Sequence, residues 1–277
     1  MASLYALLSS IVWGTSDFLG GSMSRRRPPI AVIGGSQVIG AILTVAFALG
    51  TGKWSLEERE VFAWGAASGI LGLIGLIAFY GALSTGMMGI VSPIASVGVV
   101  IPLCIGLFSG EDPSNLQYVG IGIAILGIVL ASGPELSSKT TARPVMLAIV
   151  AALAFGFAVY FMARGGRAGN PAMTVVTMRV VQVSILLTIA SFLRSKGGLT
   201  KSDIPMLTAI GVTDASANIL FTFASATGYL SIVSVLGSLY PVVTVILAWA
   251  LLKERLQTVQ YVGIVATFVG VISITAG

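Results

Sequence analysis

Ten apolar runs, each about as long as a bilayer is thick, follow one another through this chain with only short breaks between them. A hydrocarbon core of about 30 Å takes about 20 helical residues to cross, and a spanning chain must satisfy its backbone groups as a helix or a closed barrel. The runs predict helices at 2–22, 30–50, 61–82, 89–109, 116–133, 145–163, 172–193, 205–225, 229–252 and 257–275. Between them lie the charges and turn formers, as in SRRRPP, GKWSLEERE, GEDPSN and RSKGGLTKSD. The expected fold class is an all-α integral membrane protein of ten transmembrane helices with no room for a soluble domain. Composition leads the same way, because 56% hydrophobic and 9% charged residues could not coat a soluble domain of 277 residues. Arg25, Arg26 and Arg27 follow the first run instead of preceding it, and no small-residue cleavage site is evident. That run is read as a span and not as a signal peptide.

The chain also repeats itself. QYVGI stands at 117–121 and again at 260–264. A shift of 142 places Trp13-Gly14 on Phe155-Gly156, Pro29 on Pro171, Gln37 on Arg179, Gly86 on Gly228 and Ser92 on Ser234. One extra residue before the last helix makes the shift 143, which aligns Glu111 with Glu254 and the two copies of QYVGI. The reading is two five-helix units, 1–135 and 143–277. Five is odd, so the second copy is expected to cross the membrane in the opposite sense, the inverted repeat found in many secondary transporters. The loop holding Glu111 and Asp112 is acidic, whereas its counterpart holds Lys253, Glu254 and Arg255, as loops on opposite faces should differ. Lys and Arg number ten in the odd-numbered loops against four in the even ones, which places the odd loops in the cytoplasm and both termini outside.

With no histidine and a single cysteine, Cys104, the chain has no intrachain disulfide and nothing from which to build a His-based metal site or triad. The net charge of +5 is dispersed over short loops, which is no footprint for nucleic acid. No GxxxxGK[ST] nucleotide loop occurs. A membrane enzyme would need convergent acids, bases or metal ligands. The expectation is no catalytic residue, no metal, no cofactor and no enzymatic activity.

The Ala/Ser-rich first helix with Trp13-Gly14, the Phe155-Gly156 that matches it in the second copy, and the closing unit LLKERLQTVQYVGI resemble the EamA-type branch of the drug/metabolite transporter superfamily over the whole chain. The resemblance implies two five-helix repeats, export of amino acids, drugs or other metabolites, and a place in a bacterial plasma (inner) membrane. It also implies that both termini are cytoplasmic, opposite to the charge count.

Candidate functional residues are the polar ones in costly places, since a charge near the bilayer centre costs about 2.5–3.5 kcal/mol on insertion scales. Asp17, Arg179 and Asp214 qualify. Trp13 and Asp17 are four apart on one helical face, an aromatic wall beside a carboxylate that suits a cationic substrate or a coupling proton. The family's WG motif does not generally carry this acid, although a first-helix carboxylate resembles the coupling acid of the small multidrug resistance proteins. The alternative is an interfacial pair of Asp17 with Arg25 or its neighbours. Arg179, matched to Gln37 by the repeat, either grips an anionic group or neutralises Asp17 or Asp214. Asp214 and Asn218, again four apart, either line a cavity or satisfy Arg179 and freed backbone groups. Tyr160 and Tyr240 are cavity candidates because a phenol in lipid needs a partner. Ser92, Ser96, Ser234 and Ser238, near Pro93, Pro102 and Pro241, are assigned to packing, and Gly65, Gly69, Gly72 and Gly75 to tight helix contacts. Glu111 and Glu254 are expected to organise helix starts.

These residues and the repeat lead to a secondary transporter, a proton-linked or facilitative exporter of small amphipathic molecules that works by rocking of the two five-helix halves. The alternatives are an ion channel or another membrane-embedded binding or structural protein. Expected partners are the lipid bilayer, a small-molecule substrate and protons, with no nucleic acid, and the chain acts as a monomer or homodimer.

Overall fold

The computed structural model describes residues 1–86, 88–131, 142–193, 198–252 and 257–277. Within them the chain is helical, in the order α1 (Ala2–Ser24), α2 (Pro29–Gly50), α3 (Arg59–Thr85), α4 (Met88–Ser96), α5 (Val100–Phe108), α6 (Asn115–Ala131), α7 (Ala142–Arg167), α8 (Pro171–Leu193), α9 (Ile204–Thr227), α10 (Leu230–Gly237), α11 (Tyr240–Leu252) and α12 (Thr258–Ala276). Among the described residues seven helical spans are long and apolar enough to cross a membrane, with Leu230–Leu251, which holds α10 and α11, counted as one. They do not include α1, which carries Ser9, Ser10, Thr15, Ser16 and Asp17.

Two of the ten runs are not single helices, and this corrects the sequence reading. The run at 89–109 breaks at a 3₁₀ turn, Val97–Val99, between α4 and α5; the run at 229–252 breaks between α10 and α11. Proline explains both, since its ring clashes with the carbonyl four residues earlier and it has no N–H to donate. For Pro102 that carbonyl belongs to Gly98, and for Pro241 to Gly237. Proline also starts α2 and α8, at matched positions where its missing N–H is harmless.

Helices of the two sequence halves interleave. The helix α1 packs on α9 and α3 packs on α7; α2 lies against α9 and α3 against α8; α2 meets α8, and α6 meets α12. Exchanging the halves, α1 for α7, α2 for α8, α3 for α9 and α6 for α12, turns this set of pairs into itself. Contacts inside either half are sparser.

The α6–α12 pair accounts for QYVGI. Each glutamine reaches back to the start of its own helix, Gln117 Oε1 accepting from Ser114 N at 2.9 Å and Gln260 Oε1 from Gln257 N at 2.8 Å. Tyr118, Val119, Tyr261 and Val262 are exposed, facing outward where a membrane would lie. The glycines make the contact: a methyl on Gly263 would stand 1.9 Å from Ala131 N, and one on Gly120 would stand 2.8 Å from Ile274 N. Gly263→Ala is expected to destabilise the protein by about 1–3 kcal/mol through overpacking. Gly122→Ala on the outer face of α6, where a methyl meets nothing within 4 Å, should leave thermal unfolding in detergent unchanged.

A polar tie joins the halves at one end. Glu111, after α5, accepts from Leu230 N at 2.6 Å, Ser231 N at 2.8 Å and Ser231 Oγ at 2.7 Å, so it caps the start of α10 as the sequence reading expects. Arg167 Nη2 donates to the same carboxylate at 3.1 Å and to Gly228 O at 2.7 Å, while its Nε donates to Ser225 O at 2.9 Å. The matching Glu254 lies outside the described residues. Burial alone would raise the Glu111 carboxyl, but the two backbone N–H groups, the Ser231 hydroxyl and Arg167 together hold it below its ordinary value of 4.5. A folded-state value below the unfolded one means stabilisation that is present above pH 4.5 and lost as pH falls through the lowered value. Glu111→Gln should cost about 1–3 kcal/mol at neutral pH. The gap in unfolding temperature from the wild type should close as pH is lowered below 4.5.

Candidate transport site

The interleaved helices line a cavity of about 100 Å³ on which α1, α3, α7, α8, α9 and α11 converge. Repeat-matched positions line it in pairs: Trp13 with Phe155, Asp17 with Val159, Gly72 with Asp214, and Leu76 with Asn218. In the last three pairs the polar member sits on α1 or α9 and the apolar one on α7 or α3. Because α1 packs on α9 and α3 on α7, the cavity has one polar wall and one mainly apolar wall. Met162 and Ala158 extend the apolar wall, and Ser68 interrupts it. Ser68 Oγ is itself engaged, donating to Ala158 O at 2.9 Å.

The polar wall is organised by Arg179, which is 1% exposed. Its Nη1 lies 2.8 Å from Asp214 Oδ2 and donates to Gln182 Oε1 at 3.2 Å and to Gln37 Oε1. Gln37 Nε2 donates to Asp214 Oδ2 at 3.1 Å, and Asn218 Nδ2 donates to Asp214 Oδ1 at 3.1 Å. One nitrogen thus serves three acceptors. Arg179 Nε and Nη2 are both buried and have no hydrogen-bond partner among the described residues.

Asp17 lines the cavity with Trp13 on the same helical face and forms no ion pair among the described residues. The interfacial pair with Arg25 considered above is not formed. Trp13 rests on Phe221, ring centroids 5.3 Å apart.

Six of the eight residues singled out from the sequence line this cavity: Trp13, Asp17, Arg179, Asp214, Asn218 and Tyr240. Gln37 lies one layer behind, bonded to both members of the ion pair. Tyr160 lines neither this cavity nor the smaller one beside it; its ring contacts Phe161 at 5.3 Å and packs against the apolar core. Gln182 and Phe155 escaped the sequence reading although both carried a signal. Gln182 stands three residues beyond Arg179, on the same face, and Phe155 is the repeat partner of Trp13.

The smaller cavity, of about 50 Å³, lies where the two broken helices meet and shares Trp13, Phe155, Val159 and Tyr240 with the first. Ser96, Ser234 and Ser238 line it. Among the described residues no cluster of acids or Cys groups is set to hold a metal ion.

The sequence profile of the EamA-like transporter family matches residues 1–133 and again residues 142–276. The chain belongs to the EamA-like transporter family. Among its relatives is the uncharacterized inner membrane transporter YedA of Escherichia coli K12, 25% identical over 291 aligned positions that cover 99% of this chain and 90% of YedA. Another is the uncharacterized protein MJ1333.1 of Methanocaldococcus jannaschii, 27% identical over 132 residues, 47% of this chain and 96% of that protein. A solved crystal structure of a protein 15% identical shares the fold, with a TM-score of 0.80 over 99% of this chain and 96% of the other. The cavity and its ion pair are thus built on an EamA-like scaffold.

Proposed function

We propose that the protein is a secondary transporter of the plasma membrane, the bacterial inner membrane, that exports small metabolites, amino acids or drugs by alternating access with proton coupling. The observation that carries this reading is the cavity between helices of both halves, with a charged wall facing an apolar one. A cavity of that kind holds an amphipathic molecule by its polar end and leaves its body in apolar surroundings. Family membership supports transport, and the similarity to YedA, an inner membrane transporter, supports the location.

In this reading the units 1–135 and 143–277 are inverted five-helix repeats, and the substrate binds near the midplane at their shared axis. Three observations support the duplication: the packing that maps onto itself when the halves are exchanged, the two profile matches, and a relative only half as long. Asp17, a cavity acid with no ion pair among the described residues, is the coupling group. Trp13 and Tyr240 are aromatic walls, and Asp214, Asn218, Gln37 and Arg179 fix the polar end.

Counterflow in proteoliposomes tests the reading. Saturable exchange of a labelled substrate against an excess of the same compound, faster with a proton gradient, is the expected result. Ohmic conductance with no saturation would identify a channel and overturn it.

A further inference from the structure

We propose that Tyr80 is a gate which closes the cavity at one end, and that the site opens there when the Tyr80 ring leaves Gly20. This rests on the cavity being the transport site and names the side chain that bars one of its entrances. The two ends of the bundle are fixed by geometry. Arg27 Nη2 lies 3.0 Å from Asp203 Oδ2, which joins the end of α1 to the start of α9. The start of α1 lies beside Gly228, to which Arg167 donates. The Arg27 and Arg167 ties therefore mark opposite ends, and α3 finishes at the Arg27 end, beside Pro144 at the start of α7.

Toward that end α1 and α3 leave the cavity at Asp17 and Leu76. One turn further on the same faces stand Gly20 and Tyr80. They meet, because a methyl on Gly20 would run into the Tyr80 hydroxyl and ring. Tyr80 is 2% exposed, so its ring fills the space between the two helices. This space is a seam, since α1 belongs to the polar wall and α3 to the apolar one. Contacts across it are sparser than those of α1 with α9 or of α3 with α7. Fewer attractions are lost by parting the seam than by parting either wall.

The repeat supplies a second observation. The shift of 142 places Gly20 on Met162 and Tyr80 on Thr222. Large and small residues have changed places: the bulk stands on α3 in the first unit and on α7 in the second. Met162 lines the cavity on the Arg167 side. The α7–α9 seam thus carries one bulky and one small residue toward its end of the bundle, as the α1–α3 seam does toward the other.

Labelling of a single cysteine tests the gate. Ala158→Cys, in a Cys104→Ala background, places a thiol in the cavity wall. An impermeant methanethiosulfonate is added to one face of proteoliposomes at a time, and Arg26→Cys, at an exposed position after α1, reports which face is which. A minor open state is populated at about 0.1–10%, so Tyr80→Ala should speed labelling from the Arg27 face about ten-fold or more and leave the other face unchanged. Gly20→Ala, which pushes the ring aside, should act in the same direction. Gly20→Met combined with Tyr80→Thr copies the residues of the Arg167 end and should return labelling to the wild-type rate.

The Gly20 variants keep the test decisive if Tyr80→Ala does not fold. Labelling that is unchanged by Tyr80→Ala and Gly20→Ala, raised equally from both faces, or still fast in the exchanged pair overturns the gate and leaves the transport reading to counterflow. Face-specific labelling with no counterflow of any compound keeps the gate and overturns transport.

Discussion

Asp17→Asn is expected to insert and fold like the wild type and to lose proton-driven accumulation altogether. Asp17 is the cavity acid with no ion pair among the described residues, so making it neutral breaks no salt bridge. The groups around it in the cavity are Asp214, Arg179 and Tyr240. Arg179 is committed to Asp214 at 2.8 Å. A proton gained or lost there as substrate comes and goes would therefore reside on Asp17. Asparagine has the same shape and no titration. With a pH gradient across a liposome membrane, the ratio of internal to external substrate should stay at unity for the variant, while exchange at equal pH persists. Asp17→Glu keeps a carboxyl and should retain accumulation with a shifted pH optimum. Poor expression of Asp17→Asn together with unchanged proton dependence of the folded fraction would remove Asp17 from the mechanism and transfer the search to Asp214.

The second large effect is on stability. Arg179→Ala leaves the Asp214 carboxylate in a partly buried site with Gln37 and Asn218 as its remaining side-chain donors among the described residues. Breaking a buried pair from one side typically costs about 3–5 kcal/mol, because one charge stays without its partner. Removing both charges costs far less. Arg179→Ala should therefore unfold many degrees below the wild type in detergent, and Asp214→Asn added to it should recover much of the loss. A double-mutant cycle measures the coupling, and a cycle that closes near zero would show that the pair does not act as a unit. Gln182→Ala removes one of three acceptors on Nη1 and should cost much less.

Both predictions depend on residues that stand out in the linear sequence, and the reason is energetic. In a chain with 9% charged residues, an Asp or Arg inside an apolar run is conspicuous because hydrocarbon penalises it. The sequence by itself determined that the chain is helical and membrane-spanning, where most of its helices lie to within a few residues, that QYVGI and other positions recur at a fixed shift, and that Trp13, Asp17, Arg179 and Asp214 are candidates for a site. Each of these depends on length, hydropathy or self-similarity along one dimension. It did not determine which helix faces which. In water, the buried face of a helix is marked by its apolar stripe; in lipid, the outward residues are as apolar as the packed ones, so the pattern carries no address. Hence the interleaving of α1 with α9 and α3 with α7, the polar and apolar walls, and the turn of Tyr160 away from the cavity were decided by tertiary packing alone. The breaks in the fourth and ninth runs belong to the same class. Pro102 and Pro241 were visible, but whether a proline bends or interrupts a membrane helix depends on which neighbours satisfy the freed backbone groups. So does the edge of Arg179 that meets no acceptor among the described residues, since a guanidinium's unused donors are defined only once the acceptors around it have their places.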